Sequence, residues 1–464
     1  MFHHEGTGGS QLNVRSLVLR HGSWASIGTA LNLVFALLST VILARVLSPT
    51  DFGRFTIART GLSFLGVFAT FGLGTVALGM LGRYASDVGS SRRRHVMTRV
   101  AVISMGSLTI GAITAFAASL LFGETLTGGE TGLLVAIVFA LGTIASGVLN
   151  IVSDSVRGTG SPAAANMLGN VMQGSPAPHA GTLLTVAVLS YVGLATWQNA
   201  IMAYAASAAI AAGCGCLVLW SHLKPGETVA NDGAKGDQSL PSVVDVLSCA
   251  WPLAIASMIS FTTSSCDLFM TSEFSDPDSM AYYVAARRVI VLLAIPLSVL
   301  NTAARGVISP LYSANLSAQL EKHLRQGAGL AAIPCMLAAL LVLIMPEFVL
   351  KVVLGDGYDE ASTILRILIP GQVMLVVSGS CAALLRLSGF QRVMLIIDVV
   401  TALSLVVLGP LVAAGFGAIG LAVLVSSLQI ALNVVTWATA WKLTGINTWC
   451  SFRVVSRFRS LLAR

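Results

Sequence analysis

The sequence predicts an all-α polytopic membrane protein, with about 12 transmembrane helices in two pseudo-symmetric six-helix lobes. Three observations predict it. First, 55% of residues are apolar and only 10% are charged, with a mean hydropathy of +0.84. A soluble domain carries about 25% charged residues, so a chain this apolar cannot cover a water-facing surface. Second, the cations are distributed unevenly. With the N-terminus inside, nineteen of the 27 Lys and Arg fall in cytoplasmic segments. Five (Arg45, Arg54, Arg59, Lys351, Arg366) fall in outer ones, and three (Arg287, Arg288, Arg305) lie within one helix. That bias places both termini in the cytoplasm. Third, the chain repeats. Ala44 to Arg59, ARVLSPTDFGRFTIAR, is echoed by Ser275 to Arg288, SDPDSMAYYVAARR. Tyr283 and Arg287 follow Phe55 and Arg59 by 228 residues, and RLSG (Arg386, Gly389) follows RGTG (Arg157, Gly160) by 229. Both offsets are close to half the chain, which points to two tandem copies of one membrane module.

Residues 1–21 are polar and basic, and the first apolar run is too long for a cleavable signal peptide. Helix 1 is expected over about 24–46. Ala44 to Arg59 then reads as a loop of turn formers, with Asp51 capping helix 2 at about 57–81. The most basic internal loop holds Arg83, Arg92, Arg93, Arg94 and Arg99. Helices 3 and 4 follow at about 100–122 and 133–152. Helix 5 lies within 164–194, interrupted by Pro176 and Pro178, and helix 6 at about 199–220. The first lobe is thus 1–220, and a polar cytoplasmic linker, 221–245, leads to the second lobe, 246–442. Its helices are expected at about 246–270, 282–308 (with Pro296 inside), 328–345, 365–385, 393–414 and 417–441. The basic tail, 443–464, suits an anionic cytoplasmic leaflet. Trp24, Trp197, Trp220, Trp251 and Trp441 fall near span ends.

The chemistry is narrowed by what the sequence lacks. There is no Walker A loop, nucleophile elbow, HExxH or paired acidic glycosyltransferase motif, so catalysis is not expected. The seven cysteines (Cys214, Cys216, Cys249, Cys266, Cys335, Cys381, Cys450) form no CxxC or His-rich cluster and read as small apolar residues rather than metal ligands. No cofactor or metal is expected. The net charge of +7 sits mostly in loops and tail, where it sets topology and does not signal nucleic acid. Two similar lobes suit alternating access around a midline cavity.

The charges within spans narrow the cargo. Arg287 and Arg288 lie one to two turns into helix 8, Arg59 takes the matching place in helix 2, and Arg305 and Arg386 lie near inner helix ends. A guanidinium in a span faces a wet cavity or a partner, and its planar fork suits phosphate. Arg59, Arg287, Arg288 and Arg386 are therefore candidate residues for an anionic cargo. Arg45, Arg366 and Arg305 are assigned to snorkelling or pairing. Only two acids fall within the expected spans, Asp267 and Asp398. Each could bind a proton or Na⁺, or neutralise an arginine.

The run LNLVFALLSTVILARVLSPTDFGRFTIAR resembles the N-terminal signature of the polysaccharide biosynthesis proteins, the Wzx-type oligosaccharide flippases of the MOP exporter superfamily. The resemblance continues through VRGTG, WPLAIASMI with CDLFM, YYVAARRV, VVLGDGYDEASTILRIL and LRLSG, covering nearly the whole chain. It implies a MATE-like fold with a cationic cavity in the bacterial inner membrane. The implied cargo is undecaprenyl-diphosphate-linked oligosaccharide, turned from the inner to the outer leaflet. It also implies Arg59, Arg287 and Arg288 lining the cavity, Asp267 as the helix 7 acid, and a polysaccharide polymerase and chain-length regulator as partners beside the phospholipid bilayer. Helix 1 lacks an acid, unlike proton-coupled MATE exporters, and GSPAPHAG in helix 5 departs from the family pattern. Two other classes remain: a cation-coupled MATE-like antiporter of small organic molecules, and a non-transporting scaffold of a polysaccharide assembly complex.

Overall fold

A computed structural model of the chain describes residues 34–83, 91–127, 132–159, 161–169, 176–222 and 242–451. Most of the expected linker, most of the tail and the N-terminal segment lie outside the described residues. All regular structure in the described part is helical. The first half runs α1 (Val34–Val46), α2 (Pro49–Thr70), α3 (Leu73–Arg83), α4 (Ser91–Leu121), α5 (Gly123–Thr127), α6 (Leu133–Gly158), α7 (Pro162–Leu168), α8 (Pro176–Tyr191) and α9 (Trp197–His222). The second runs α10 (Val243–Phe274), α11 (Pro277–Leu292), α12 (Ile295–Ser313), α13 (Ser317–Ile344), α14 (Pro346–Leu354), α15 (Ala361–Ser378), α16 (Cys381–Leu387) and α17 (Gln391–Thr444). Seven of these helices are long and apolar enough to cross a membrane, or nine when α2 with α3 and α11 with α12 each count as one bent span. α17 breaks at Gly417 (φ 60°) into arms 391–416 and 418–444, and α1 is a shorter apolar helix. Counting the two arms of α17 separately and adding α1 gives eleven among the described residues, close to the twelve expected.

The stretch read as an organising loop is mostly helix. α1 ends at Val46 and α2 begins at Pro49, so only Leu47 and Ser48 connect them. The cap is Ser48, whose Oγ accepts from the Asp51 N–H at 3.1 Å, and Asp51 is a first-turn acid favoured by the helix dipole. The repeat places Asp276 at the same point, accepting from the Ser279 N–H at 3.0 Å, and a proline follows each cap.

Both capped helices then break. α2 turns into α3 by 54° through Phe71 (φ 47°) and Gly72 (φ 72°), and α11 turns into α12 by 50°. The second break puts Pro296 in the first turn of α12, where no N–H is missed, rather than inside a continuous helix. Pro176 and Pro178 likewise open α8 instead of interrupting helix 5.

α6 packs on α2, α3, α4 and α9, and α15 packs on α11, α13 and α17. Large apolar side chains stand exposed in stripes, including Ile396, Val400, Leu403 and Val407 on α17. That arrangement suits lipid and not water. Of the cysteines, Cys335, Cys381 and Cys450 are buried, Cys266 is half-buried, and Cys214, Cys216 and Cys249 sit on exposed helix faces.

Candidate functional site

Arg59 and Arg287 are each the eleventh residue of a capped helix, α2 and α11. At 1.5 Å per residue this places both about 15 Å from the caps, deeper than the one to two turns expected for Arg287. With Arg288 they line a cavity of about 230 Å³ where α2, α10 and α11 meet. Thr60 and Ser63 of α2 and Ser264 and Ser265 of α10 add hydroxyls, and Phe261, Leu268 and Val291 complete the wall.

The three arginines are held differently. Arg287 Nε lies 2.7 Å from Asp267 Oδ2, but its N–H points off that line. Its hydrogen bonds come from Nη2, which donates to Asp267 Oδ1 (3.3 Å) and to the Ser264 carbonyl (2.9 Å). Tyr283 donates its hydroxyl to Asp267 Oδ2 at 2.7 Å. Asp267 is only 1% exposed, so its charge is tolerable because Arg287 and Tyr283 both satisfy it. Arg59 has no such partner. Its guanidinium lies 5.9 Å from the centre of the Tyr204 ring, a cation–π contact. Among the described residues neither Arg59 nor Arg288 forms an ion pair. Three guanidinium groups and one carboxylate leave the cavity with two positive charges in excess.

Arg386 does not join this cavity. Its Nη2 donates to Asp398 Oδ2 at 3.0 Å where α16 meets α17, so the fourth candidate cation and the second candidate acid neutralise each other. Arg157, its repeat partner, is also ion-paired, to Asp154 at 2.9 Å, and donates to Asn166. Asp154 is a third buried acid within a helix. The sequence ended helix 4 at Val152 and left it in a loop, whereas α6 continues to Gly158. Arg45 reaches the Val352 carbonyl, Arg366 is exposed, and the side chain of Arg305 lies outside the described residues. No group of three or more His, Cys, Asp or Glu suited to a metal occurs among the described residues.

The halves close on each other at the capped end. A Cβ on Gly53 of α2 would lie 3.1 Å from the Ala281 backbone of α11, so a larger residue would need α11 to give by a few tenths of an ångström. Tyr358 donates to the Ala44 carbonyl at 3.1 Å and meets Phe52 edge-on. Ser272 donates to the Thr125 carbonyl, and Thr125 donates to Glu273.

Two bent, capped helices meet over a charged cavity in a bundle of membrane-length helices, and the fold is one that solved structures share. The chain is similar to a multidrug resistance MATE family transporter of the MOP superfamily in an inward-facing conformation (17% identity, 89% of this chain and 94% of that one, TM-score 0.63). It is similar also to one in an outward-facing conformation (15%, 95% and 99%, 0.61). A third is a MOP superfamily transporter from Pyrococcus furiosus described as having a binding pocket of reverse polarity (15%, 95% and 99%, 0.58). The polysaccharide biosynthesis protein family model matches residues 18–316, more than half of the chain, and the MatE model matches 252–411. The chain belongs to the polysaccharide biosynthesis protein family. No curated protein matches it.

Proposed function

We propose that this protein is a flippase that carries a diphosphate-linked oligosaccharide lipid from the inner to the outer leaflet of a bacterial cytoplasmic membrane by alternating access. The observation that carries the reading is the pair Arg59 and Arg288, two guanidinium groups on one cavity with no carboxylate to neutralise them. A diphosphate diester carries two negative charges, equal to the cavity's excess. Arginine forks and nearby hydroxyls of Thr60, Ser63, Ser264 and Ser265 match its oxygens. A volume of about 230 Å³ is below the roughly 300–1,000 Å³ of a drug-sized site and suits a head group rather than a whole glycan. The glycan would enter as the halves separate. Both termini are assigned to the cytoplasm, which makes the capped end the outer one. The six-helix lobes 1–220 and 246–442 are the moving bodies, and Arg59, Arg287 and Arg288 form the substrate site.

The MatE match and the MATE folds favour a second reading, cation-coupled antiport of small organic molecules. An organic cation would meet the excess positive charge of this cavity, which ranks that reading second.

Translocation of a lipid-linked oligosaccharide in proteoliposomes tests the first reading, comparing wild type with Arg59→Gln combined with Arg288→Gln. Transport by the wild type and its loss in the folded double variant is expected. Unchanged transport in the double variant would remove the site, and no transport by either across several lipid-linked glycans would remove the function.

A further inference from the structure

The polar side chains of the site continue behind its wall. Arg59 lies over the Tyr204 ring of α9, and the His179 ring of α8 lies 6.2 Å from Tyr204. His179 Nδ1 is 3.2 Å from Ser39 Oγ of α1. All three inner residues are buried, at 0% exposure for Ser39, 3% for His179 and 5% for Tyr204. α8 is pressed on α9 two residues beyond the histidine, where a Cβ on Gly181 would sit 2.5 Å from Ser207 Oγ. The two helices are therefore in close contact beside the histidine.

Its hydrogen bonding leaves one nitrogen open. Ser39 has a single hydroxyl hydrogen and donates it to the Ala36 carbonyl at 2.9 Å. Its oxygen then accepts from Nδ1–H, so the neutral ring carries its lone pair on Nε2. Among the described residues the hydrogen bond of the ring is the one at Nδ1, and Nε2 makes none.

The repeat sharpens the contrast. Ser39 precedes Asp267 by 228 residues, the offset that separates Arg59 from Arg287 and Phe55 from Tyr283. In the second half an acid, itself held by a tyrosine hydroxyl, neutralises the arginine. In the first half serine and phenylalanine replace them, and the ionisable group beside the arginine's aromatic partner is an imidazole.

We infer that His179 is a proton-binding site linked to the anion site, taking a proton on Nε2 when a diphosphate fills the cavity and releasing it when the anion leaves. This rests on the anionic-cargo reading above. The charged and titratable groups facing His179 are Arg59 from α2, Tyr204 from α9 and Arg288 from α11; α1 presents only the neutral Ser39, and α7 carries none. Burial, and then two guanidinium charges in a low-dielectric interior, oppose a third positive charge. A doubly charged anion between the guanidinium groups offsets their part of that opposition and adds an attraction of its own. Linkage makes the effect reciprocal, so protonation tightens anion binding by the same factor. The proton comes from water, and no other bond changes.

The test is calorimetric binding of farnesyl-diphosphoryl-N-acetylglucosamine, a diphosphate diester of constant charge. The full chain is used in detergent, in buffers of different ionisation enthalpy, between about pH 6 and pH 8. Uptake approaching about one proton per anion is expected, with affinity rising by up to about tenfold per pH unit as pH falls. His179→Gln is expected to bind the probe with neither effect. Binding by the wild type without proton uptake, or full uptake retained in His179→Gln, overturns the inference. No binding by the wild type sinks the diphosphate reading instead. The histidine is then decided by ¹⁵N NMR of its ring in wild type and Arg59→Gln, which also serves if His179→Gln fails to fold. A His179 signal whose titration moves to higher pH when the Arg59 charge is gone supports the site, and identical titration in both proteins overturns it.

Discussion

Arg59 and Arg287 occupy the same position in two copies of one helix, yet they differ in what holds them. Arg287 is fixed by Asp267 and the Ser264 carbonyl, with Tyr283 holding Asp267 in turn. Arg59 has an aromatic face and no acid. Duplication explains why both halves place a guanidinium at the same depth, and divergence at two side chains explains why one is neutralised while the other has no carboxylate partner. Charge at a span position therefore does not define a role; the partner at the neighbouring helix does.

The largest effect should come from the paired side. Asp267→Ala leaves Arg287 buried without its carboxylate and Tyr283 without its acceptor, and should cost about 3–5 kcal/mol of stability, read by thermal unfolding in detergent. A loss below about 1 kcal/mol would mean that Arg287 has water or another partner and that the two arginines are alike.

On the free side, Arg59→Gln should leave stability nearly unchanged and weaken binding of a diphosphate diester. The expected loss is about 1.5–3 kcal/mol, roughly ten- to hundredfold in Kd. Grafting the second half's arrangement onto the first, Ser39→Asp with Phe55→Tyr, should lower affinity by a similar factor while Arg59 stays in place. If that double variant binds as well as wild type, the comparison fails at its centre.

The caps separate the repeats by pH. Ser48→Ala and Asp276→Ala should each cost about 1 kcal/mol. Backbone and side-chain hydrogen bonds from Ser279 hold the Asp276 carboxyl below its usual range. Its contribution is therefore full above the unfolded value of about 3.9 and is lost as pH falls through the lower folded value. Stability measured between about pH 6 and pH 3 should show the Asp276→Ala penalty shrinking in acid and the Ser48→Ala penalty constant. The smallest effect is expected for Arg386→Ala. Its partner pair is half exposed on the arginine side and should be worth about 0–1 kcal/mol, screened by salt.

Much of the candidate site's arginine set was legible before the fold. The 228-residue offset aligned Arg59 with Arg287, and the structure adds the same cap–proline start to both helices. Other features were hidden for identifiable reasons. Asp154 looked like a loop acid because hydropathy falls before the helix ends. The sequence leaves Asp398 to bind a cation or neutralise an arginine without singling out Arg386, because a pair twelve residues apart across a break has no helical spacing to betray it. The Phe71–Gly72 break carries no proline to mark it, and GSPAPHAG looked like a disruption when its prolines start a helix that carries His179.

By itself the sequence determined the membrane class, the two-copy organisation and the excess of arginine over acid within the spans. These depend on composition and periodicity, which survive any arrangement of the helices. Tertiary structure alone decided which charges meet: Arg287 with Asp267, Arg386 with Asp398, and Arg59 with an aromatic ring backed by a histidine. Hydropathy records how far along a span a residue lies. Whether a charge is neutralised depends on the rotation of that span and on the side chains of neighbours far away in sequence.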